Sequence, residues 1–566
     1  MPSFVTKNLW ILILIILILP SFFSLIRPGF FVMQDDLQAF RIHQMDRCFA
    51  DFQIPCRWVP DMGYQYGYPQ FNFYPPSVFY LGELFHKIGL QIIDSVKILF
   101  ILGFITSALA MFLLLKTLFG KWPALVGSIL YIYAPFRAVE VYVRGSLSEF
   151  WALSFFPIIF WASYQAIKSE KLKYFLWLAI FLGLLILTHH LMTFIFLPIL
   201  FFWIITWLIL EKKWKTLPKI LLSFLVAFGL SAFFTLPLIF EKQFVHTETL
   251  LSGYFDYRQH FVSLKQLFLS NFWEYGSSFF GNTDTVNLST GPIHWVVGLV
   301  GILLAVLNFK KNMKIASVIF LLAGLELLVL FLIHQRSSFI WEKISILGWL
   351  QFPWRFLSLS VFLLSILSAS AIFFLGKYKK KLGWVLGTVA IVGVFVLHGN
   401  FFKPQEWLGI SDKDKFSGPF WEKQLTISIF DYLPIYAKLP PSKIAPDFPE
   451  ILDGEIEFIN YNKSSDYQIG NVKVGREATV RVPLFDFPGM EVLIDQRKVV
   501  HWHDDCRGEE YCLGLITFNL PVGTHKIEIN LKDTPIRKTG NIITLISILS
   551  LLTLFFLNKK YEKSNL

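Results

Sequence analysis

Runs of roughly twenty apolar residues, separated by short polar links, recur about twelve times along the chain. Within each run the apolar positions are continuous rather than alternating. That predicts helices, which satisfy their own backbone hydrogen bonds across a hydrocarbon layer about 30 Å thick. The first run, residues 9–26, follows Lys7 and is not trailed by a small-residue cleavage motif, so it reads as a retained anchor. Two segments depart from the pattern. Residues 27–94 form a long loop rich in aromatic, Pro and Gly residues, with Asp35, Asp36, Phe40, His43 and Arg47 near its start. From Asp36 onward these residues lie near one stripe at helical spacing, which predicts an amphipathic helix of the kind that lies in the membrane interface. Beyond His398 the period changes to two, with strand-like runs at 455–461, 478–484, 490–494, 513–520 and 525–531 separated by turn residues. The expected fold is therefore a polytopic α-helical membrane protein with about twelve transmembrane helices and a C-terminal extracytoplasmic β-sandwich domain. Its expected divisions are 1–398 (transmembrane domain), 399–538 (β-rich domain) and 539–566 (last helix and cytoplasmic tail).

Composition agrees. Hydrophobic residues make up 55% of the chain, there are 61 Phe, and the mean hydropathy is +0.55, outside the globular range. The net charge of +11 would suggest a nucleic-acid partner in a soluble protein. Here the Lys residues fall in every second link: Lys116 and Lys121; Lys168, Lys171 and Lys173; Lys212, Lys213, Lys215 and Lys219; Lys310, Lys311 and Lys314; Lys377, Lys379, Lys380 and Lys381; and Lys559, Lys560 and Lys563 at the end. Short basic links stay cytoplasmic, so the charge reports topology and removes the case for nucleic acid. The reading is a plasma-membrane protein with both termini cytoplasmic. All four cysteines then lie outside, where Cys48 with Cys56 and Cys506 with Cys512 are expected as local disulfides.

The same sorting places the candidate chemistry on the outer face. Adjacent carboxylates at Asp35 and Asp36 repel, so one serves as a base or both hold a divalent cation; capping the following helix is the alternative. Arg144, in Arg144-Gly145-Ser146-Leu147-Ser148-Glu149, can hold a phosphate oxygen or form a salt bridge with Glu149 or Glu140. His189 and His190 end another span, and on a helix their rings would point about 100° apart, a poor arrangement for sharing one metal. Arg355, in Phe352-Pro353-Trp354-Arg355, is either a phosphate ligand or a snorkelling boundary residue. Glu326 lies inside an apolar run and is set apart from the site. Asn287 and Asn462 each begin a glycan-acceptor sequon.

The order of these features resembles a known family: an acidic pair after the first span, Tyr74-Pro75-Pro76 before the second, Tyr142 through Glu149, Thr188-His189-His190, and Phe352 through Phe356. The chain is similar to 6-pyruvoyl-tetrahydropterin synthase-related and YfhO-like integral membrane proteins, within the GT-C class of glycosyltransferases. Phe487-Pro488-Gly489-Met490 resembles their Pro-Gly turn, with Met490 where Trp is usual. The resemblance implies a polyprenyl-phosphate-linked sugar donor, an envelope glycan, lipid or polymer as acceptor, and Asp35 or Asp36 as catalytic base. In such a reaction the leaving phosphate gains negative charge, so Arg144, Arg355, His189 and His190 are the candidates to bind it, with Glu149 and His43 in support and a divalent cation optional at Asp35 and Asp36. Pterin chemistry is not expected, because the zinc-binding His set of the soluble synthase is missing. The rival reading is a non-catalytic carrier or flippase of lipid-linked glycans.

Overall fold

The structure is a computed structural model and describes residues 2–279, 285–503 and 512–564. Among these, eight helices are long and apolar enough to cross a membrane, from Ile92–Phe119 to Pro535–Asn558. The pair Lys121–Ile132 and Pro135–Val143, bent by 52°, is a broken span or a re-entrant loop. Three shorter apolar helices, Leu9–Ser21, Leu172–Thr188 and Pro292–Leu307, lie beside them in the chain order. Against the expectation of about twelve spans, the described residues give eight helices of membrane length, or nine with the bent pair. Pro135 explains the bend, since the residue before a proline is pushed out of helical geometry, and Ala134 is extended.

The basic links converge at one end of the helical bundle. Lys314 pairs with Glu211 at 3.0 Å, Lys213 pairs with Glu170, and Lys377 donates to Asn312 at 2.6 Å. Trp122 stacks on Trp384 at that end, with Trp10 beside both. Tryptophan belts of this kind sit where an amphipathic ring finds both an apolar and a wet side.

The helix expected across the acidic pair begins later, at Gln38, and ends at Ala50. It is covered largely by protein. Phe40, Ile42, Met45 and Cys48 are buried, and so are Gln38, Arg41 and Gln44. It packs on the Ser77–Lys87 helix and on Ile92–Phe119, while Phe416 and Trp421 cover its remaining side. Its mixed stripe is satisfied by protein partners, which periodicity alone does not distinguish from an interfacial position. Cys48 and Cys56 form the expected disulfide just beyond it. Cys506, of the second expected pair, lies outside the described residues.

Seven strands build the C-terminal domain: β3 (Glu450–Lys463), β4 (Tyr467–Phe485), β5 (Met490–Ile494), β6 (Arg497–Val499), β7 (Trp502–His503), β8 (Leu515–Leu520) and β9 (Gly523–Leu531). They form one hydrogen-bonded antiparallel sheet rather than the two separate sheets of a sandwich. The cause is the length of β4. One edge pairs with β3, while the other pairs first with β9 and then with β8. The alternating side chains Val472, Val474, Val480, Val482, Ile527 and Ile529 point to its core. A separate two-stranded pair, β1 (Phe30–Phe31) with β2 (Trp407–Leu408), ties the entry to this domain against the chain just ahead of Asp35.

The last helix starts at Pro535 and is anchored at once. Fully buried Arg537 donates to Glu241 at 2.9 Å, and Thr534 and Asn72 bond to the same carboxylate at 2.6 and 2.9 Å. Arg57 reaches Asn541 at 2.9 Å. Loop, bundle and last helix therefore meet at one buried polar knot.

Candidate active site

The bent pair supplies the first wall of the site. After Pro135 the chain widens into a π-turn at Val139–Val143 and then reverses at Gly145, whose φ is +66. A side chain at Gly145 would lie 2.2 Å from the Met33 sulfur, so glycine is required there both for backbone and for space. This close approach lets the 33–35 segment run against the turn. Gln34 N–H donates to Val143 C=O at 3.0 Å, and Asp35 N–H donates to Arg144 C=O at 2.8 Å. Asp35 and Arg144, distant in sequence, are thereby fixed side by side.

They border a cavity of about 550 Å³. Asp35, Arg144, His189, His190 and Arg355 all line it, so five of the expected residues meet in one hollow. The cations come as a buried network. Glu149 accepts from Arg144 at 3.0 Å and from Arg355 at 3.3 Å, and Glu140 takes a second Arg144 nitrogen. The Arg144 guanidinium lies 4.4 Å over the Trp354 ring. Salt bridging, left open as the alternative use of Arg144, is thus realised on the very residue that faces the cavity. Two carboxylates balance two guanidinium groups, which makes the burial of four charges tolerable.

His189 is not inside a helix. It is extended and caps the His190–Glu211 helix, its Nδ1 accepting from Met192 N–H at 3.2 Å. An accepting Nδ1 leaves the ring proton on Nε2. The break also changes the expected ring directions: the two imidazoles are stacked at 22°, with centroids 6.1 Å apart, instead of splayed as they would be within one helix.

The acidic pair separates. Asp35 accepts from Gln38 at 2.7 Å and from Arg41 at 3.3 Å through one oxygen, Oδ2, leaving Oδ1 only a 3.5 Å contact with Arg41. Asp36 turns the other way and is held by buried Lys415 at 2.7 and 2.8 Å. Burial raises its pKa against the pull of Lys415. With a different cation on each, the two carboxylates do not converge as a chelating pair. Among the described residues no three His, Cys, Asp or Glu gather as a metal site.

His43 also lies elsewhere. Its ring stacks on Phe416 at 4.6 Å, with the Asp61 carboxylate 3.9 Å away, and burial lowers its pKa. Glu326 is buried within its span and accepts from Ser360 at 2.6 Å, remote from the cavity lining. Asn287 is buried with its amide donating to Phe272 C=O, so the sequon there is covered.

Sequence reasoning missed several lining residues. Arg41 sits 4.1 Å over the Tyr74 ring and bonds Asp35. Ile427, Ser428, Asp431 and Tyr432 enter from the segment leading to the β-domain. Arg41 was open to discovery, lying five residues past the acidic pair; Asp431 sits in a stretch with no motif or period to mark it.

Comparison with known proteins adds a match over part of the chain. Solved structures of the Archaeoglobus fulgidus oligosaccharyltransferase are similar at 15% identity. The form tethered to an acceptor peptide gives a TM-score of 0.44 over 72% of this chain and 56% of that one. The apo form gives 0.42 over 79% and 62%, and the complex with Zn and sulfate 0.41 over 70% and 53%. This chain thus spans between about half and three-fifths of the length of those structures. No curated protein matches it. The family described as dolichyl-phosphate-mannose-protein mannosyltransferase matches residues 74–232, just over a quarter of the chain. That stretch holds Tyr74, Arg144, Glu149, His189 and His190, and its match supports the GT-C class of membrane glycosyltransferases for this polytopic protein.

Proposed function

We propose that the protein is a membrane glycosyltransferase that moves a sugar from a polyprenyl-phosphate donor to a hydroxyl-bearing envelope acceptor at the outer face. The observation that carries this is the single cavity shared by a half-exposed carboxylate, Asp35, and a set of buried cations anchored on Glu149. In the reaction the acceptor oxygen attacks the anomeric carbon and its proton passes to Asp35. The bond from that carbon to the phosphate oxygen breaks, and the phosphate leaves with the electron pair. Displacement from the opposite side inverts the configuration.

General-base help of this kind supplies about 10²- to 10⁴-fold. Arg144 and Arg355 face the developing phosphate charge from a water-poor wall, where pre-oriented cations act most strongly. His189 offers its Nε2 proton to the same group. Asp36 and His43 take no part in the chemistry and hold the first loop in place. The prenyl chain stays in the lipid, between spans, while the sugar enters the cavity. The sidedness rests on the basic links, which place both termini in the cytoplasm, and the narrower likeness to YfhO-like proteins rests on the order of motifs. The match over residues 74–232 supports the reading, since the name of that family describes transfer of mannose from a dolichyl phosphate.

The deciding experiment is mass spectrometry of glycolipids and wall polymers from cells carrying the wild-type gene, no gene, or Asp35→Asn. A glycan lost in both the deletion and the variant is the expected result. A glycan that persists with Asp35→Asn and vanishes only in the deletion favours the carrier reading.

A further inference from the structure

The segment between the last bundle helices and the sheet is built to deliver one side chain. Ser428 has φ +58, a left-handed conformation that a residue with a Cβ adopts at a cost. The turn it starts closes with Asp431 N–H donating to Ser428 C=O at 3.0 Å. Tyr68, from the first loop, clamps this turn from outside. Its hydroxyl accepts from Tyr432 N–H at 2.5 Å and contacts the Ser428 and Ile429 carbonyls at 3.0 and 3.3 Å. The result is that Asp431 lines the cavity with Asp35, Arg41 and Tyr74. A strained turn, held by a fully buried tyrosine ring from another part of the chain, puts a second carboxyl where an apolar wall would be cheaper.

We propose that this turn is the acceptor subsite, and that Asp431 binds a sugar hydroxyl beside the attacking one, in the cavity it shares with Asp35. This rests on the transferase reading and deepens it. The leaving phosphate needs the cations of Arg144 and Arg355, while the acceptor has to lie beside the proposed base, where Arg41, Asp431 and Tyr432 add further polar lining. A sugar hydroxyl suits that lining: it donates to one carboxylate as it is deprotonated and uses its neighbours to bond the other. Tyr432, in the same lining, adds an aromatic surface against which a sugar packs. Burial also pushes Asp431 up to about 6, so the group changes charge close to neutral pH and its grip on a hydroxyl changes with it.

The test uses the full-length protein in phospholipid vesicles, with radiolabelled dolichyl-phosphate mannose as donor probe and methyl α-mannopyranoside as hydroxyl probe. Asp431→Asn is expected to raise the KM for the methyl mannoside at least tenfold while the donor KM stays within twofold. It should also remove the acid limb of the rate profile near pH 6, and Asp431→Glu should recover part of the loss. An unchanged acceptor KM, or an equal rise for donor and acceptor, overturns the subsite. Absence of transfer by the wild type instead counts against the transferase reading with this donor. The subsite is then judged by the quenching of Trp349 and Trp354 fluorescence by methyl mannoside. A tenfold weaker response in Asp431→Asn than in the wild type upholds it, and equal responses, or none in either, overturn it.

Discussion

At the scale of single residues, the consequential difference is between two neighbouring aspartates. Asp35 shows one oxygen to a cavity, whereas Asp36 is committed to Lys415, a cation almost wholly out of water. Removing a partner from a buried pair leaves an uncompensated charge and costs about 3–5 kcal/mol. Asp36→Asn is therefore expected to lower the thermal unfolding temperature of the detergent-purified protein by several degrees. Asp35→Asn should leave it nearly unchanged while cutting sugar transfer about 10²-fold or more. The reverse pattern would exchange their roles. Asp431 adds a dependence on pH. Its folded-state pKa lies above that of an unfolded aspartate, so the folded form holds its proton longer, and stability falls as pH rises from about 4 to about 6. Asp431→Asn removes this penalty, and its unfolding temperature relative to wild type should be higher at pH 8 than at pH 4.

At the scale of elements, broken helices make the site. The bend at Pro135, the π-turn that follows, and the extended His189 between two apolar helices each interrupt helical structure where the site forms. Such interruptions are tolerated within a membrane protein only where protein or a wet cavity receives the freed backbone groups. Here the Val143 and Arg144 carbonyls accept from Gln34 and Asp35. Gly145→Ala should break that contact, since the added methyl meets the Met33 sulfur. Transfer should fall sharply with the protein still folded, measured as activity beside an unaltered circular dichroism spectrum. The turn at Ser428–Tyr432 obeys the same logic, held by hydrogen bonds from a distant loop rather than by its own propensity.

At the scale of the whole molecule, one knot fastens three parts. Glu241 at the end of the Trp214–Phe240 span takes bonds from Arg537 and Thr534 beside the last helix and from Asn72 in the first loop. Loss of the buried Arg537 leaves that carboxylate with only neutral donors. Arg537→Met is expected to destabilise the protein by about 3–5 kcal/mol and to loosen the last helix. Faster proteolysis between the sheet and that helix is the measurement. Because the linker that carries Asp431 ends in the sheet and the sheet ends in this helix, loosening the knot should also reduce transfer, although no residue of the knot lines the cavity.

The span pattern, the strand positions and the grouping of basic links are determined by local sequence, because burial in lipid, the two-residue period of a strand and the charge of short links each act within about twenty residues. Asp35, Arg144, His189, His190 and Arg355 were legible as candidates for the same reason: each is polar at the edge of an apolar run, where polarity needs a cause. What needed the tertiary structure was partnership. Nothing near Asp36 in sequence announces Lys415, and nothing near Glu149 announces that it holds Arg355, since pairs so far apart meet only once helices have packed. The burial of the Gln38–Ala50 helix, the continuity of the sheet through β4, and the arrival of Asp431 in the cavity share that physical origin. Each is decided by which surfaces cover one another, a property of the folded chain rather than of any window along it.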